Sequence, residues 1–271
     1  MSTLFSWRRV QAAVESASAA GTVGVAISGP GGAAWQHYGD RKFSAASTVK
    51  IPIMVEVYRQ VDAGRCALDD RVQLSEADKA PGSGVLLHLH AGIELTLNDL
   101  VYLMISISDN TATNMLIRLT GLEAVNRTMR ELGMTGSNLG REMRGRPALA
   151  EEPENYATPN DYARAIAAIL DGTAASPAAC EAMQAMLERQ QNARRIARHV
   201  PASGQVRWGS KTGSLPGVTN DAGYVIAPNG RLIIAVFCEN FADQHAGEQV
   251  IGEIARAALA DTGVAGPLYT S

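Results

Sequence analysis

The sequence predicts an α+β fold, in which an antiparallel sheet built from both ends of the chain is flanked by helices and an all-helical lobe is inserted between them. Strand-like runs fall at 22–28 and 33–38 and again at 206–213, 222–227 and 231–238, whereas apolar residues between them recur with the 3.6-residue period of helices. These elements bury their apolar faces most simply as two lobes, 1–46 plus 200–271 forming the sheet lobe and 47–199 the helical lobe, in one working unit. No internal repeat or low-complexity linker argues for a further division.

The first helix, over 5–20, sets Val10, Ala13, Val14 and Ala17 on one face and stops at Gly21. The runs 22–28 and 33–38 form a hairpin across Gly29-Pro30-Gly31-Gly32, whose glycines tolerate positive φ. A helix opening at about Ser47 carries Ile51, Met54, Val55 and Tyr58 as its buried stripe and ends near Gly64. Pro52, just past its first turn, costs a backbone hydrogen bond or bends it. Thr96 and Asp99 make a capping box for a helix through Leu100, Leu103, Met104 and Ile107. Two more helices run through Met115, Leu116 and Leu119 to Gly121 and through Val125, Met129 and Leu132 to Gly133. The stretch 133–156, rich in Gly, Pro and charge, reads as an irregular loop. Thr158-Pro159-Asn160-Asp161 then opens a helix that ends about Gly172, and Ser176-Pro177 opens the next. Pro228-Asn229-Gly230 joins the last two strands, and a helix over 242–260 closes the pattern.

With 271 residues, 46% of them hydrophobic, the chain can bury a sizeable core. Its net charge of -3, with both signs interspersed, lacks the basic stripe that nucleic acid requires, so no nucleic-acid partner is expected; a small-molecule partner and a monomer are expected independently of this charge. Three distant cysteines argue against a disulfide framework, and His88-x-His90 has no zinc-ligand spacing, so neither metal nor other cofactor is expected. Residues 1–10 hold Trp7, Arg8 and Arg9 but no apolar core before a small-residue cleavage site. With neither signal peptide nor membrane span in view, the expected address is cytoplasmic as the sequence stands, or periplasmic or secreted if a leader has been removed.

Three short motifs carry chemistry. In Ser47-Thr48-Val49-Lys50 the lysine lies one helical turn beyond the serine, so an amine of lowered proton affinity can take the proton of an otherwise poor nucleophile. Alone, such a pair is more often a helix cap and a solvated lysine. Ser108-Asp109-Asn110 follows an apolar helix and Lys211-Thr212-Gly213 ends a strand; each alone also reads as a helix cap or a strand edge. In this order the three resemble the serine beta-lactamase and penicillin-binding-protein superfamily, class A type, over about residues 5 to 260.

The resemblance implies a beta-lactamase/DD-peptidase-like fold with the catalytic cleft between the lobes. It implies that Ser47 attacks a carbonyl and is acylated, that Lys50 accepts and relays its proton, and that Ser108 passes a proton toward the leaving nitrogen. Asn110 would hold the substrate amide and the Lys50 side chain, Lys211 and Thr212 the substrate carboxylate, and Gly213 would let substrate lie close to the edge strand. The backbone N–H groups of Ser47 and Ser214 would form the oxyanion hole, worth about 3 kcal/mol each in such sites.

Two parts of the class A pattern are absent. The E-x-x-L-N context of a deacylating glutamate is not found; its expected place is close to Met143, with Glu142 one residue early, and Glu151, Glu152 and Glu154 resemble ordinary solvated loop carboxylates. Asn220-Asp221-Ala222-Gly223 occupies the region of the family's strand arginine, and Gly82-Ser83-Gly84-Val85-Leu86 resembles the peptidase-leaning branch. Acylation is therefore better supported than hydrolysis. The expected function is a serine acyl hydrolase of the class A beta-lactamase type, opening a beta-lactam or related amide or ester. The alternatives are a D-Ala-D-Ala carboxypeptidase or esterase using Ser47 and Lys50 for both half-reactions, and a beta-lactam-binding sensor that stays acylated.

Overall fold

The computed structural model describes residues 5–202 and 204–266, so both extreme ends of the expected sheet lobe, including Met1 to Leu4 of the segment read for a leader, lie outside the described residues. In chain order the elements are α1 (Arg8–Ser18), β1 (Thr22–Ser28), β2 (Ala34–His37), β3 (Phe43–Ser44), α2 (Lys50–Asp62), β4 (Arg71–Gln73) and β5 (Glu94–Thr96). Then come α3 (Leu97–Ser106), α4 (Asn110–Thr120), α5 (Leu122–Glu131), β6 (Tyr156–Ala157), α6 (Pro159–Leu170) and α7 (Pro177–Leu187). The strands β7 (Arg207–Leu215), β8 (Val218–Ala227) and β9 (Gly230–Glu239) precede α8 (Gln244–Thr262).

The main sheet has the order β2-β1-β9-β8-β7, and every neighbouring pair is antiparallel. Pairing of β1 with β9, from Thr22 opposite Glu239 to Ser28 opposite Ile233, joins the two ends of the chain. Side chains alternate across this sheet as its pleat requires. Val23, Val25, Ile27, Leu232, Ile234 and Val236 form one core with Val10, Val14 and Ile254 of α1 and α8. Ala26, Ile233, Ala235 and Phe237 face the other way, into the larger core under α2 and α6. Both faces are thereby covered, and β7 is left as an edge.

Most helix starts follow their caps. Asp99 N–H donates to Thr96 Oγ1 at 3.0 Å while Thr96 N–H donates to Asp99 Oδ2 at 2.9 Å, the reciprocal pair expected before α3. Thr158 and Ser176 cap α6 and α7, each with proline in the first turn. No regular element lies between α5 and β6, as the loop composition predicts.

Three readings change. Pro52 is the third residue of α2, inside its first turn rather than just past it, where proline is tolerated. The strand expected from Ala222 begins at Val218: Val218, Thr219, Asn220 and Asp221 look polar for a strand, but they pair with Leu215 to Thr212 on one side and Glu239 to Val236 on the other. Val218 and Thr219 suit a strand, and tertiary pairing outweighs the low strand propensity of Asn220 and Asp221. Helix α2, expected to show one apolar stripe, is buried almost all round and runs through the middle of the helical layer.

The β7–β8 register requires glycine at 223. A Cβ there would stand 2.2 Å from the Gly209 carbonyl oxygen and 2.7 Å from the Ser210 Cα, contacts that only backbone movement relieves. Gly223→Ala is expected to lower stability by about 1–3 kcal/mol. Calorimetry should show a lowered Tm; an unchanged Tm would contradict this register.

Candidate active site

Ser47 lies on a 3-10 turn, Ala46–Val49, and Lys50 opens α2 directly after it. With three residues per turn, i and i+3 stand in line, more directly than in an α-helix. The turn is forced: Ala46, immediately before the serine, adopts φ 44°, a left-handed conformation costing a residue with a Cβ about 1–3 kcal/mol. It is held from the sheet. Asn220 Nδ2 donates to the Ser44 and Ala45 carbonyl oxygens at 2.8 and 3.3 Å, and β7 presses Gly213 against the same backbone. A Cβ on Gly213 would lie 3.0 Å from Ala45 O and from Ser47 N. The glycine thus lets strand and serine turn touch, a contact within the protein that the sequence reading did not foresee.

Lys50 is fully buried. Its amine lies 2.7 Å from the Ser108 carbonyl oxygen, 2.9 Å from Asn110 Oδ1 and 3.0 Å from Ser108 Oγ. Burial, and then the Lys211 cation, hold its pKa well below the usual lysine value, against a smaller pull from Asp109. A neutral amine has two N–H donors and one lone pair. Two of its neighbours, a carbonyl and an amide oxygen, only accept, whereas the Ser108 hydroxyl can accept from the amine or, once the amine is neutral, donate to it. The sequence suggested direct contact of Lys50 with Ser47; the three hydrogen bonds instead join Lys50 to the Ser108-Asp109-Asn110 motif.

That motif is clamped. Ser108 has φ 62°, which turns its carbonyl toward Lys50, and Ser83 Oγ donates to the same oxygen at 2.6 Å. Asp109 caps α4 by accepting from Ala112 N–H at 3.0 Å, and its other oxygen accepts from Val85 and Leu86 N–H at 2.7 and 2.9 Å. Asn110 Nδ2 donates to the Pro81 carbonyl oxygen at 2.8 Å, which leaves Oδ1 for the lysine.

On the opposite wall, Lys211 is fully buried in β7, and its amine donates to the Thr212 carbonyl oxygen at 2.9 Å. Burial lowers its pKa to about 7; Asp221 opposes the shift and Arg195 adds to it. Arg195 is a site residue that the sequence did not reveal. It is buried behind β7, donates to Gly213 O at 2.8 Å, to Asn220 O at 2.6 Å and to Ser214 Oγ at 2.6 Å, and is backed by Glu248 at 3.3 Å. It brings a guanidinium to the Lys211-Thr212-Gly213-Ser214 strand from the segment after α7. Most of its partners on the strands are backbone oxygens, which have no sequence signature; an arginine against Ile196 and Ala197 is the only hint.

These walls enclose a cleft of about 590 Å³, lined by Ser47, Ser108, Asn110, Thr212 and Ser214 and closed on one side by Met143 and its neighbours. Asn114 fastens the Met143 backbone, accepting from its N–H at 2.8 Å and donating to its carbonyl at 3.0 Å. Glu142 is turned away from the cleft, its two oxygens accepting from Arg118 at 2.8 and 3.0 Å. Of the carboxylates that line the cleft, Glu154 pairs with Arg141 at 3.2 Å and Asp243 caps α8. Among the described residues there is no cluster of three metal-ligating side chains.

The fold and cleft define a class A beta-lactamase architecture. The Beta-lactamase enzyme family matches residues 6–262, and the chain belongs to that family. The crystal structure of a beta-lactamase from Sphaerobacter thermophilus DSM 20745 is 64% identical, with a TM-score of 0.95 over 96% of this chain and 99% of that one. A point mutant of PBP-A, in an acyl-enzyme complex with penicillin-G, is 28% identical with a TM-score of 0.83, covering 92% of this chain and 94% of that one. A Rhodobacter capsulatus beta-lactamase is 33% identical over 150 residues, 55% of this chain and about half, 51%, of that relative's length. No described helix is long and apolar enough to cross a membrane.

The protonation of Lys211 yields a test. For a substrate with a free carboxylate, kcat/KM is expected to fall as pH rises above about 7 and the ammonium is lost. A matched neutral ester should lack this falling limb. Identical profiles for both would remove Lys211 from carboxylate binding.

Proposed function

We propose that the chain is a serine acyl hydrolase of the class A beta-lactamase type, opening a beta-lactam or a related amide or ester through an acyl-enzyme on Ser47. The observation that carries this reading is the fully buried Lys50 amine, hydrogen-bonded to Ser108 and Asn110 and one 3-10 turn from Ser47. In the acylation step Ser47 Oγ bonds to the carbonyl carbon and its proton goes to Lys50. The carbonyl oxygen takes the electron pair and is stabilised by the Ser47 and Ser214 N–H groups. On collapse the carbon–nitrogen bond breaks, and the leaving nitrogen takes the Ser108 proton, which Lys50 replaces. Asn110 orients the acyl amide, while Lys211 and Thr212 hold the substrate carboxylate with Ser214 beside them.

The residue groups 1–46 plus 200–271 and 47–199 act in this reading as one unit across the cleft, and a single copy supplies every group named. The site needs no cofactor. A cell-wall peptide as substrate would require export of the chain, whereas a small metabolite ester would be met in the cytoplasm.

A second reading, slow deacylation by a peptidase or a sensor, is favoured by one observation: Met143 stands where a deacylating glutamate is expected, and the nearby carboxylates are engaged elsewhere. Intact mass spectrometry after penicillin exposure is expected to show an adduct on Ser47 that Ser47→Ala lacks. Prompt loss marks a lactamase, and a lasting adduct a sensor or peptidase. No adduct at any dose would remove the beta-lactam reading. Because Glu142 is held by Arg118 outside the cleft, Glu142→Gln is expected to leave the rate of adduct loss unchanged; a tenfold slowing, about 1.4 kcal/mol, would make that carboxylate the base.

A further inference from the structure

The wall of the cleft that carries Asn110 also carries two cations the acylation chemistry does not use. Arg144 and Arg146 line the cleft on either side of Gly145. Gly145 is seated on the 81–82 backbone: its φ is 65°, and a Cβ there would stand 2.8 Å from Pro81 O and 3.0 Å from the Gly82 Cα. The same Pro81 carbonyl holds Asn110, so the loop that carries the two arginines and the Asn110 side chain share one backbone anchor, and all three side chains line the cleft with Ser47.

Their common partner lies outside the cleft. Arg146 donates to the two Glu152 oxygens at 2.6 and 2.8 Å, and Arg144 pairs with the same carboxylate. The guanidinium of Arg146 and the Leu149 N–H hold that carboxylate down at about 2, so it is ionised at any working pH. One anion shared by two guanidiniums leaves about one unit of positive charge on this cluster; the neighbouring Arg141–Glu154 pair is balanced, and Asp243, the other carboxylate lining the cleft, lies at the start of α8. Each guanidinium is a planar fork that matches a carboxylate, and with side-chain exposures of 50% and 40% both are open to an arriving ligand.

We propose that Arg144 and Arg146 form a second anion-binding position of the cleft, and that preferred substrates carry an additional carboxylate on the acyl side chain. The proposal rests on the acyl-enzyme reading above. A substrate with its first carboxylate at Lys211 and its carbonyl at Ser47 sends the acyl group past Asn110, and the arginines lie next along that wall.

Binding to Ser47→Ala, which cannot be acylated, separates this proposal from the reading beneath it. The probes are two penicillins that differ only in one carboxylate on the acyl side chain. Calorimetry at low salt is expected to show the more acidic probe binding about tenfold more tightly, a preference that salt reduces because the site is exposed. Adding Arg144→Gln and Arg146→Gln together should abolish the preference, and adding Glu152→Gln instead should increase it. Equal affinity for the two probes, or a preference that survives loss of both arginines, would overturn the proposal, whether or not the unmodified chain is labelled at Ser47.

Discussion

Placing a lysine amine where water cannot reach it is the constraint on which the rest of this structure depends. An ammonium taken from water loses several kcal/mol of hydration unless partners replace it, and the partners of Lys50 are two acceptor oxygens and a hydroxyl rather than a carboxylate. With burial first and Lys211 as a second buried cation across the cleft, the amine's hold on its proton is weakened well below the ordinary lysine value. An amine so weakened is ready to act as a base, and the surrounding architecture keeps it buried.

Much of the fold serves that end. Helix α2 runs through the centre of the helical layer, where its first turn is inaccessible, and α3 and α4 are joined by a strained residue that aims a carbonyl at the amine. The left-handed conformations at Ala46 and Ser108 cost free energy, and each is over-determined by its neighbours: Asn220 and Gly213 hold the first, Ser83 and the Asp109 cap the second. The sheet contributes by pressing its edge strand against the serine turn, which is possible only because residue 213 has no side chain.

The helix starts at Thr96, Thr158 and Ser176 were legible because capping is local chemistry, written within four residues. The order of strands and helices was legible from periodicity, and the fold class followed from it. The start of β8 was not, since Asn220 and Asp221 are extended by pairing on both sides rather than by their own preference. Three motifs could be read because their residue types are unusual in combination, and they do meet in one cleft. Arg195 could not be read: what marks it is burial against backbone oxygens of β7 and β8, which exist as a set only after folding. The outward turn of Glu142 was equally invisible, because its Arg118 partner lies on α4, 24 residues away in the chain.

Family membership and the 64% identical Sphaerobacter thermophilus beta-lactamase are consistent with a site organised around acyl transfer, and Met143 focuses attention on how the acyl group leaves. The protonation state of the lysine comes before either half-reaction. The direct measurement is a carbon-13 NMR titration of the lysine ε-carbons, with Lys50→Arg to assign the resonance. The account predicts a Lys50 signal that titrates well below the ordinary lysine value of 10.5. A Lys50 signal titrating at or above that value would mean an ammonium at working pH, and would contradict the account.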